Sequence, residues 1–399
     1  MPEAGPTPDT VRVLCLHTAT QPPLGADTWI HAQIIRHLDR STHEIHVACR
    51  TTAGGAPTPT YDALRDIPDI DVVPVDLGPE LFGRSRFGKL RGMLATLPAL
   101  VSLVRLVVLV RRRRIRLIHT SDRPRDAFAA VLIGRLTGAV SVVHVHVTYN
   151  PTWMGWMLRW SLAHADALIA VSSFVGQTLE AGGQAADRIH VVRNGIDVEA
   201  WQPGSGRQQA RRELEIADDV PVVVIVCRLF PEKGPADLIR AISAVRDQFA
   251  DVVLLVVGVP LDPAYGAELA ALAGDLGMEE HVRFLGRRPD VPAIMAASDV
   301  FAMPSHDEPF GLVFVEAMAM RLPVVAVADG GTLEIVEHGR TGLLSRWGDG
   351  AQLAADLRTL LGDQELRDAM GAAGRHRAID RFTVERMATD VARVYRLIA

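Results

Sequence analysis

Short apolar runs alternate along this chain with longer segments in which apolar residues return at helical spacing. The first run is Val11 to His17. The segment after it has the spacing of one helix face, at Trp29, Ile30, Ile34, Ile35 and Leu38. Similar runs follow at Ile45–Ala48, Val72–Val75, Ile115–His119, Val140–Val147, Ala167–Val171 and Ile189–Val192. This alternation of strand and helix signals predicts an α/β fold with parallel sheets.

The pattern starts again after residue 220, with runs that are apolar on successive residues. These runs are Val222–Val226, Val252–Val257, Val282–Leu285, Val300–Met303 and Val324–Val327. Strands of this kind are covered on both faces, as in a parallel sheet with helices on either side. Residues 201–219 lie between the two series, are polar, and contain Pro203, Gly204 and Gly206, so they are the best candidate linker.

The repeated pattern predicts two doubly wound, Rossmann-like domains. We expect an N-terminal domain over residues 1–200 and a C-terminal domain over residues 220–381, joined by the linker at 201–219. The strand ends of two such domains would face a central cleft, where folds of this type bind ligands. The last helix, over residues 382–399, is expected to pack back on the first domain.

Composition narrows the classes of protein to consider. The net charge of −5 argues against nucleic acid as the main partner, because nucleic-acid binders show a basic excess. Cys15, Cys49 and Cys227 stand far apart in apolar surroundings, so neither a zinc site nor a disulfide framework is predicted. This cysteine usage fits a reducing cytoplasm, and the polar, proline-rich N-terminus lacks the order of a signal peptide.

One apolar segment, Leu94 to Val110, is followed by the basic cluster Arg111–Arg114. The segment is shorter than the roughly 20 residues that a membrane span needs, and Pro98 and Arg105 interrupt it. We therefore predict a helix packed on a sheet rather than a span. The basic cluster leaves open a peripheral contact with anionic lipid at the inner membrane face.

Two basic residues come soon after the first strand of the second series. Arg228 follows the strand and Lys233 stands five residues later, near the start of the next helix. Basic groups at the end of a strand, beside a helix N-terminus, suit an anion such as a diphosphate. The alternative is ordinary solvated surface charge.

Two glutamates flank the start of the helix predicted after Val300–Met303. Glu308 lies in the loop before that helix and Glu316 about one turn inside it. A loop carboxylate can accept hydrogen bonds from sugar hydroxyls, while the helix N-terminus offers free N–H groups to phosphate. Glu316 can hold ribose hydroxyls, as the acidic residue of a dinucleotide fold does. The alternative is an exposed helix residue, although its apolar neighbours would make an unpaired glutamate costly.

These motifs resemble the donor-binding domain of retaining glycosyltransferases of family 4, which have the GT-B fold. The E-x7-E motif of that family is similar to Glu308 and Glu316, and its GRL…KG motif is similar to Cys227 to Gly234. Its ADVFVLPS, G.PVVAT…GG..E and VEHGRTGLL segments resemble residues 298–305, 322–334 and 336–344. Arg321 stands where the family commonly has glycine, so the turn there departs from the pattern.

The resemblance implies roles for particular residues. Arg228, Lys233 and Glu308 would act in catalysis, together with His146 as the histidine near the transferred sugar. The donor would be bound by Gly25, Ser172, Asn194, Arg287, Phe310, Gly311, Leu312, Val313 and Glu316. His144 shares a strand face with His146, so the alternative is a structural pair of histidines. His119 and Arg123 would lie in an acceptor-side loop or in an ordinary polar loop.

By the same resemblance, the protein would move a hexose-type sugar from a nucleotide-diphosphate sugar to an acceptor hydroxyl with retention of anomeric configuration. No metal or other cofactor would be required, and the acceptor would be a lipid, a glycan or a small metabolite. Two alternatives remain open: a sugar-nucleotide epimerase or hydrolase of the same fold, and a nucleotide-sugar-binding protein without turnover. A dinucleotide-dependent dehydrogenase is disfavoured because no GxGxxG follows the first strand of either series.

Overall fold

The chain forms two compact units in the computed structural model, which describes residues 10–20, 25–78, 96–203 and 206–399. The first unit comprises the chain up to Arg193 together with Val384–Ala399, and the second comprises Asn194–Thr383. Each unit contains a parallel sheet whose strands alternate with helices along the chain. The predicted pair of Rossmann-like folds is therefore confirmed.

The first unit is built on a seven-stranded parallel sheet. Its strands are β1 Val11–His17, β2 His43–Cys49, β5 Ile70–Pro74, β6 Leu117–Ser121, β7 Val140–Val145, β8 Ala167–Ala170 and β9 Ile189–Val191, and β3 Thr52–Ala53 pairs with β4 Ala56–Pro57 as a small hairpin. Its helices are α1 Ala26–His37, α2 Pro59–Leu64, α3 Thr96–Arg112, α4 Pro124–Thr137, α5 Trp156–His164, α6 Ser173–Ala181 and α15 Val384–Ile398.

The order of the strands fixes where this sheet can bind a ligand. They lie in the order β5, β2, β1, β6, β7, β8, β9, so the winding of the chain reverses between β1 and β6. The carboxyl ends of the two strands at such a switch point leave a crevice that binds ligands. His17 ends β1 and Ser121 ends β6, and both residues are buried.

The second unit has a six-stranded parallel sheet in the order β12, β11, β10, β13, β14, β15. The strands are β10 Val222–Val226, β11 Val253–Val257, β12 Val282–Gly286, β13 Val300–Met303, β14 Val324–Val327 and β15 Gly342–Ser345. The helices are α7 Arg207–Glu213, α8 Pro235–Val245, α9 Pro263–Asp275, α10 Val291–Ala297, α11 Leu312–Ala319, α12 Thr332–Ile335, α13 Gly350–Gly362 and α14 Gln364–Arg381. The switch point lies between β10 and β13.

Residues 201–219, predicted as a linker, belong to the second unit. Arg211 of α7 is buried, and its guanidinium bonds to the carboxylate of Asp299 and to the carbonyl oxygen of Ala297, each at 2.9 Å. Arg207 reaches the other oxygen of Asp299 at 2.6 Å. The polar residues of this segment therefore belong in part to a helix, α7, that ion pairs with Asp299 hold in place. The boundary between the two units lies after Arg193 rather than at residue 200.

The last helix, α15, is part of the first unit and packs against α1. Val384, Met387, Val391 and Tyr395 are buried along its inner face. The hydroxyl of Tyr395 lies 2.6 Å from Nδ1 of His119 in β6. The end of the described chain thus completes the core of the first unit.

Helix α3 contains most of the long apolar segment. Leu94 and Ala95, which precede it, lie outside the described residues. Leu106 and Val110 are buried in the core with Leu14 and Ile118, so one face of the helix packs on the sheet as predicted. Within the part of the chain that the structure describes, no helix is both long and apolar enough to cross a membrane.

Candidate functional site

The residues of the donor motifs gather at the switch point of the second sheet. Cys227 and Arg228 follow β10, and the loop that contains Glu308 follows the neighbouring strand β13. Gly234 takes a φ of +70° at the start of α8, and a β-carbon there would lie 2.4 Å from the carbonyl oxygen of Pro304. The glycine therefore allows the two loops to approach closely.

Lys233 and Glu308 form an ion pair at this point. Lys233 ends a single 3-10 turn, Pro231–Lys233, and its ammonium nitrogen lies 2.5 Å from Oε2 of Glu308. The two side chains are 18% and 8% exposed, respectively. The ammonium also lies 5.5 Å from the centroid of the Phe230 ring. Because Lys233 keeps some exposure and has three donor hydrogens, it can bond a phosphate oxygen as well as Glu308.

Two adjacent glycines fix the backbone of Glu308. Gly330 has a φ of +59°, and a β-carbon on it would lie 2.6 Å from the carbonyl oxygen of Glu308. The N–H of Gly331 donates to that same oxygen at 2.7 Å. A β-carbon on Gly331 would meet the carbonyl oxygen of Pro309 at 2.6 Å. The glycine pair therefore allows the loop that carries Glu308 to pack closely on the segment after β14.

Helix α11 begins beside this loop without a side-chain cap. Its N-cap residue is Gly311, with a φ of +97°, and no side chain accepts from the first N–H groups. Leu312 and Val313 therefore present backbone donors that suit a phosphate. The side chain of Phe310, predicted to bind donor, is instead buried against the ring of Phe382, with the centroids 5.9 Å apart.

Glu316 has no hydrogen-bond or ion-pair partner for its carboxylate among the described residues. Val315 and Ala317 on either side of it are buried, while Glu316 itself keeps partial exposure. Burial raises the pKa of Glu316 to about 7, from an ordinary value of 4.5. A carboxylate in such surroundings gains from a ligand that donates hydrogen bonds to it, as ribose hydroxyls would.

The other predicted residues of the second unit differ in exposure. Arg228 and Arg287 are exposed, and Arg287 follows the end of β12. Asn194 is buried, with no partner for Oδ1 in the described part of the chain, and it begins the second unit instead of lying near the end of the first. Cys227 is half-buried, and burial raises the pKa of its thiol to about 12.

In the first unit, His146 follows β7, near the switch point between β1 and β6. The backbone N–H of His146 donates to the carboxylate of Asp122 at 3.0 Å, and the ring nitrogen Nε2 of His146 lies 3.3 Å from Nε2 of His31. His144 stacks beside it, with ring centroids 4.5 Å apart. Burial lowers the pKa of His146 to about 4, so its ring is neutral near pH 7.

Gly25 and Arg123 meet through Asp27 at the start of α1. Arg123 Nε donates to Asp27 at 2.7 Å, and a β-carbon on Gly25 would lie 2.4 Å from Oδ1 of the same carboxylate. The glycine therefore makes room for an ion pair at the helix N-terminus, where a carboxylate is favoured. The guanidinium of Arg123 is bound to Asp27, and its acceptor-side role stays a prediction.

Two of the predicted site residues lie in the interior. His119 belongs to β6 rather than to a loop after it, and it is fully buried with Nδ1 bonded to Tyr395. Ser172 is also fully buried, and its hydroxyl accepts from the N–H of Val175 at 3.0 Å as the cap of α6. Neither side chain is presented to a ligand, so both predictions are corrected.

Sequence reasoning missed Asp27, His17 and His31. His17 ends β1, and His31 is buried on the face of α1 that also carries Ile30 and Ile34. The helical periodicity contained that signal, since position 31 falls on the apolar face. Asp27 had no comparable signal, because its role depends on Arg123, far away in the sequence.

Comparison with known proteins identifies the family. Residues 206–377 match the model described as Glycosyl transferases group 1, and residues 31–200 match the model described as Glycosyltransferase Family 4. The two matches follow each other along the chain and fall almost entirely within different units.

Curated relatives align with part of the chain. The D-inositol 3-phosphate glycosyltransferase of Corynebacterium efficiens is 42% identical over 192 residues, which are 46% of this chain and 45% of that protein. The alpha-maltose-1-phosphate synthase of Mycolicibacterium smegmatis is 34% identical over 260 residues, 61% of this chain and 66% of that protein. The aligned part of the chain spans about half the length of the first of these relatives.

Solved structures resemble the chain over nearly its whole length. HepE of Anabaena in complex with UDP is 26% identical, with a TM-score of 0.80 over 97% of this chain and 100% of that one. A sucrose-phosphate synthase from Thermosynechococcus elongatus, 23% identical over 97% of this chain and 98% of that one, has the same fold with a TM-score of 0.76. The two family models, the two parallel sheets and the donor motifs at the second switch point agree, and the chain belongs to the family 4 glycosyltransferases with the GT-B fold.

Proposed function

We propose that this glycosyltransferase moves a hexose-type sugar from a nucleotide-diphosphate sugar to an acceptor hydroxyl, with retention of anomeric configuration. The observation that carries the proposal is the Lys233–Glu308 ion pair at the second switch point, beside the uncapped start of α11. This arrangement offers positive charge and free N–H groups to a diphosphate, and a carboxylate to sugar hydroxyls, within one small region.

In the proposed reaction, the bond between the anomeric carbon and the β-phosphate oxygen breaks. The acceptor oxygen bonds to the same face of that carbon, and the acceptor proton leaves on the diphosphate. Arg228, Lys233 and the N–H groups at the start of α11 stabilise the negative charge that grows on the leaving group. These groups supply the positive charge, so the proposal includes no metal ion on the diphosphate and no other cofactor.

The remaining contacts are assigned by chemistry. Glu308 positions hydroxyls of the transferred sugar, and Glu316 accepts from the ribose hydroxyls of the nucleotide. Arg287, at the end of β12, lies near the base. His146 of the first unit is kept as a participant in the reaction, because its ring is neutral and it lies at a crevice where folds of this type bind ligands.

Relatives suggest which substrates to test first. HepE was solved with UDP and with UDP-glucose, so UDP-sugars are the first donors. A GDP-mannose-dependent mannosyltransferase of Mycolicibacterium smegmatis, 34% identical over 227 residues, makes GDP-mannose the second. The D-inositol 3-phosphate glycosyltransferases make inositol phosphate the first acceptor, ahead of lipids and glycans.

We also propose that α3 contacts the surface of a membrane. Leu100, Val101 and Val104 are more than half exposed on this helix, and the basic residues Arg111–Arg114 at its end are exposed as well. An apolar stripe beside a basic cluster suits an anionic lipid surface. Such a contact would suit an enzyme whose acceptor is a lipid.

The test has two stages. Thermal-shift measurements with UDP-, GDP- and ADP-sugars should find a donor that raises the melting temperature by mass action. With that donor, release of the nucleoside diphosphate should depend on an acceptor, and NMR coupling at the anomeric carbon should show the donor configuration in the product. Release without acceptor would indicate a hydrolase or epimerase, binding without consumption a non-catalytic protein, and an inverted product would contradict retention.

A further inference from the structure

The loop that carries Glu308 has a strained backbone one residue before that glutamate. Asp307 has a φ of +52°, in the left-handed region that a residue with a β-carbon rarely adopts. Such a conformation is costly and persists only where the surrounding structure holds it. The side chain of Asp307 is exposed, so packing of that side chain into a core does not hold the turn. The contacts that hold it come from neighbouring residues.

The carboxylate of Asp329 makes the contact nearest to this turn. Its Oδ2 accepts a hydrogen bond from the backbone N–H of Asp307 at 2.8 Å. The same oxygen lies 2.6 Å from Nδ1 of His306. Asp329 is half-buried and follows β14, so it reaches the loop that follows the neighbouring strand β13. One carboxylate oxygen therefore contacts two consecutive residues of the loop.

His306 is itself held by two further contacts. Its ring stacks on the ring of Trp347, which follows β15, with the centroids 4.9 Å apart and the planes at 22°. Its backbone N–H donates to the carbonyl oxygen of Glu232 at 2.8 Å. The residue before the strained turn is therefore anchored, and the contact from Asp329 to Asp307 fixes the turn relative to that anchor.

Asp329 is also the first of three consecutive residues that contact the loop. Gly330 lies so close to the backbone of Glu308 that a β-carbon would not fit, and the N–H of Gly331 donates to the carbonyl oxygen of Glu308. These two glycines fix the carbonyl side of Glu308. The bond from Asp329 fixes the residue before Glu308, so the backbone on both sides of that glutamate is held. The direction in which its side chain leaves the backbone is set in this way.

We propose that Asp329 is a positioning residue of the transfer reaction, which holds the left-handed turn at Asp307 and so directs Glu308 toward the donor sugar. The inference rests on the role that the proposed function gives to Glu308. The family segment G.PVVAT…GG..E specifies the two glycines but leaves position 329 open, so the role belongs to residues particular to this chain. Without Asp329 the turn would relax toward a less strained conformation, and the carboxylate of Glu308 would move with it.

The experiment uses the full chain, with the donor and acceptor that the thermal-shift and nucleotide-release measurements select. Asp329→Ala should lower kcat on the order of ten- to a hundredfold, because a small displacement of a positioned group costs that much. Its affinity for the nucleoside diphosphate without the sugar, measured by calorimetry, should be unchanged, since Lys233 and the start of α11 keep their places. Asp329→Asn keeps an oxygen that can accept from Asp307 and should restore most of the rate.

Two further variants separate positioning from a general structural role. In the Glu308→Ala background, Asp329→Ala should lower kcat little further, because the effects of residues that act as one unit are not additive. Asp307→Val should lower kcat as Asp329→Ala does, since a β-branched residue is an outlier at this φ. Asp307 is exposed, so this variant tests the turn even if Asp329→Ala does not fold.

The control is Asp363→Ala, which removes an exposed aspartate that accepts from the backbone N–H of Leu366 at 2.9 Å as the cap of α14. It should lower the melting temperature slightly, as the loss of a helix cap does, and leave kcat unchanged. Normal rates in Asp329→Ala and Asp307→Val, or full additivity with Glu308→Ala, would overturn the inference and leave the proposed function standing. A normal rate in Glu308→Ala would instead remove the proposed role of Glu308, and this inference with it.

Discussion

The ion pair between Lys233 and Glu308 joins the two loops that carry the donor motifs. We expect Lys233→Ala and Glu308→Ala each to lower turnover on the order of a hundredfold or more, because each removes a contact to the transition state. The measurement is kcat with the donor and acceptor that the thermal-shift and nucleotide-release experiments select. Glu232→Ala is the control, since Glu232 is a neighbouring acid with an exposed side chain. Near-normal rates in both variants would contradict the assignment.

Glu316 couples donor binding to pH and to stability. Its pKa is about 7 in the folded protein, above the ordinary value of 4.5, so the folded state holds the proton more tightly than the unfolded state. This contribution to stability is fully present below about pH 4.5 and is lost as the pH rises through about 7. At pH 8, the free energy of unfolding of Glu316→Gln should therefore be higher than that of the unsubstituted protein by about 1 to 3 kcal/mol.

The same variant should bind the donor more weakly, because an amide cannot replace a carboxylate that accepts from two ribose hydroxyls. Denaturant titrations at pH 4.5 and pH 8, together with donor titrations, measure both effects. At pH 4.5 the two proteins should be equally stable. A variant that is destabilised at pH 8, or that binds donor normally, would refute the role given to Glu316.

Arg321 shows how this chain departs from its family at one residue. Arg321 has a φ of +60°, so the turn keeps the left-handed conformation without a glycine. The carbonyl oxygen of Arg321 packs closely on Gly371, where a β-carbon would lie 2.1 Å from that oxygen. Arg321→Gly should raise the free energy of unfolding by about 0.5 to 1 kcal/mol, because the left-handed region is costly for a residue with a β-carbon. Arg346→Gly, at an exposed position outside that region, should not be stabilising when measured by the same denaturant titration.

Among the elements, α3 carries the exposed apolar surface that we propose contacts a membrane. Leu100→Gln with Val104→Gln should reduce co-sedimentation with vesicles that contain anionic lipid several-fold, and added salt should reduce the binding of the unsubstituted protein. Val259→Gln with Leu261→Gln is the matched control, because these residues are similarly exposed but lie in the second unit. Equal binding by the two double variants would exclude α3 as the contact.

Strands that are buried on both faces could be predicted from the sequence. Elements held by residues far away in the sequence could not. The predicted bounds of β10, β13 and β14 agree with the structure, because strands covered on both faces are continuously apolar. The strand predicted at residues 115–119 ends instead at Ser121. Thr120 and Ser121 are polar but buried, so a prediction based on apolar residues ends the strand before them. That prediction places His119 at the end of the strand, next to a loop.

Helix α7 was mistaken for linker for a similar reason. What holds it is the bond from Arg211 to Asp299, two residues 88 positions apart in the sequence. No local pattern reveals such a pair. The donor motifs were easier to recognise, because their glycines, lysine and glutamates lie close together in short segments of the sequence.

At the scale of the whole molecule, the two sheets repeat one design with different chemistry at their switch points. The second has a lysine, glutamates and an uncapped helix, which suit a diphosphate sugar. The first has His146 beside His31 and His144, and the Asp27–Arg123 ion pair. The sequence predicted the duplicated architecture and the donor half, but the contact between His146 and His31 appears only when elements distant in sequence are brought together.

Tyr395 ties the final helix to the interior of the first unit. Tyr395→Phe should lower the free energy of unfolding by about 1 to 3 kcal/mol, because it leaves Nδ1 of the buried His119 without a partner. Tyr265→Phe, which has no hydroxyl partner in the described residues, should have little effect. Thermal and denaturant unfolding of both variants measure the difference, and equal stability would show that the Tyr395 bond contributes nothing.

The return of α15 to the first unit has a consequence for the order of folding during synthesis. Residues 384–399 leave the ribosome after all of the second unit, Asn194–Thr383, has been made. The second unit can therefore complete its core first, while the first unit keeps the inner face of α1 and the ring of His119 uncovered until residues 384–399 arrive. The unit that is made before the other is thus the unit that finishes folding after it, and chaperones would meet it in that unfinished form.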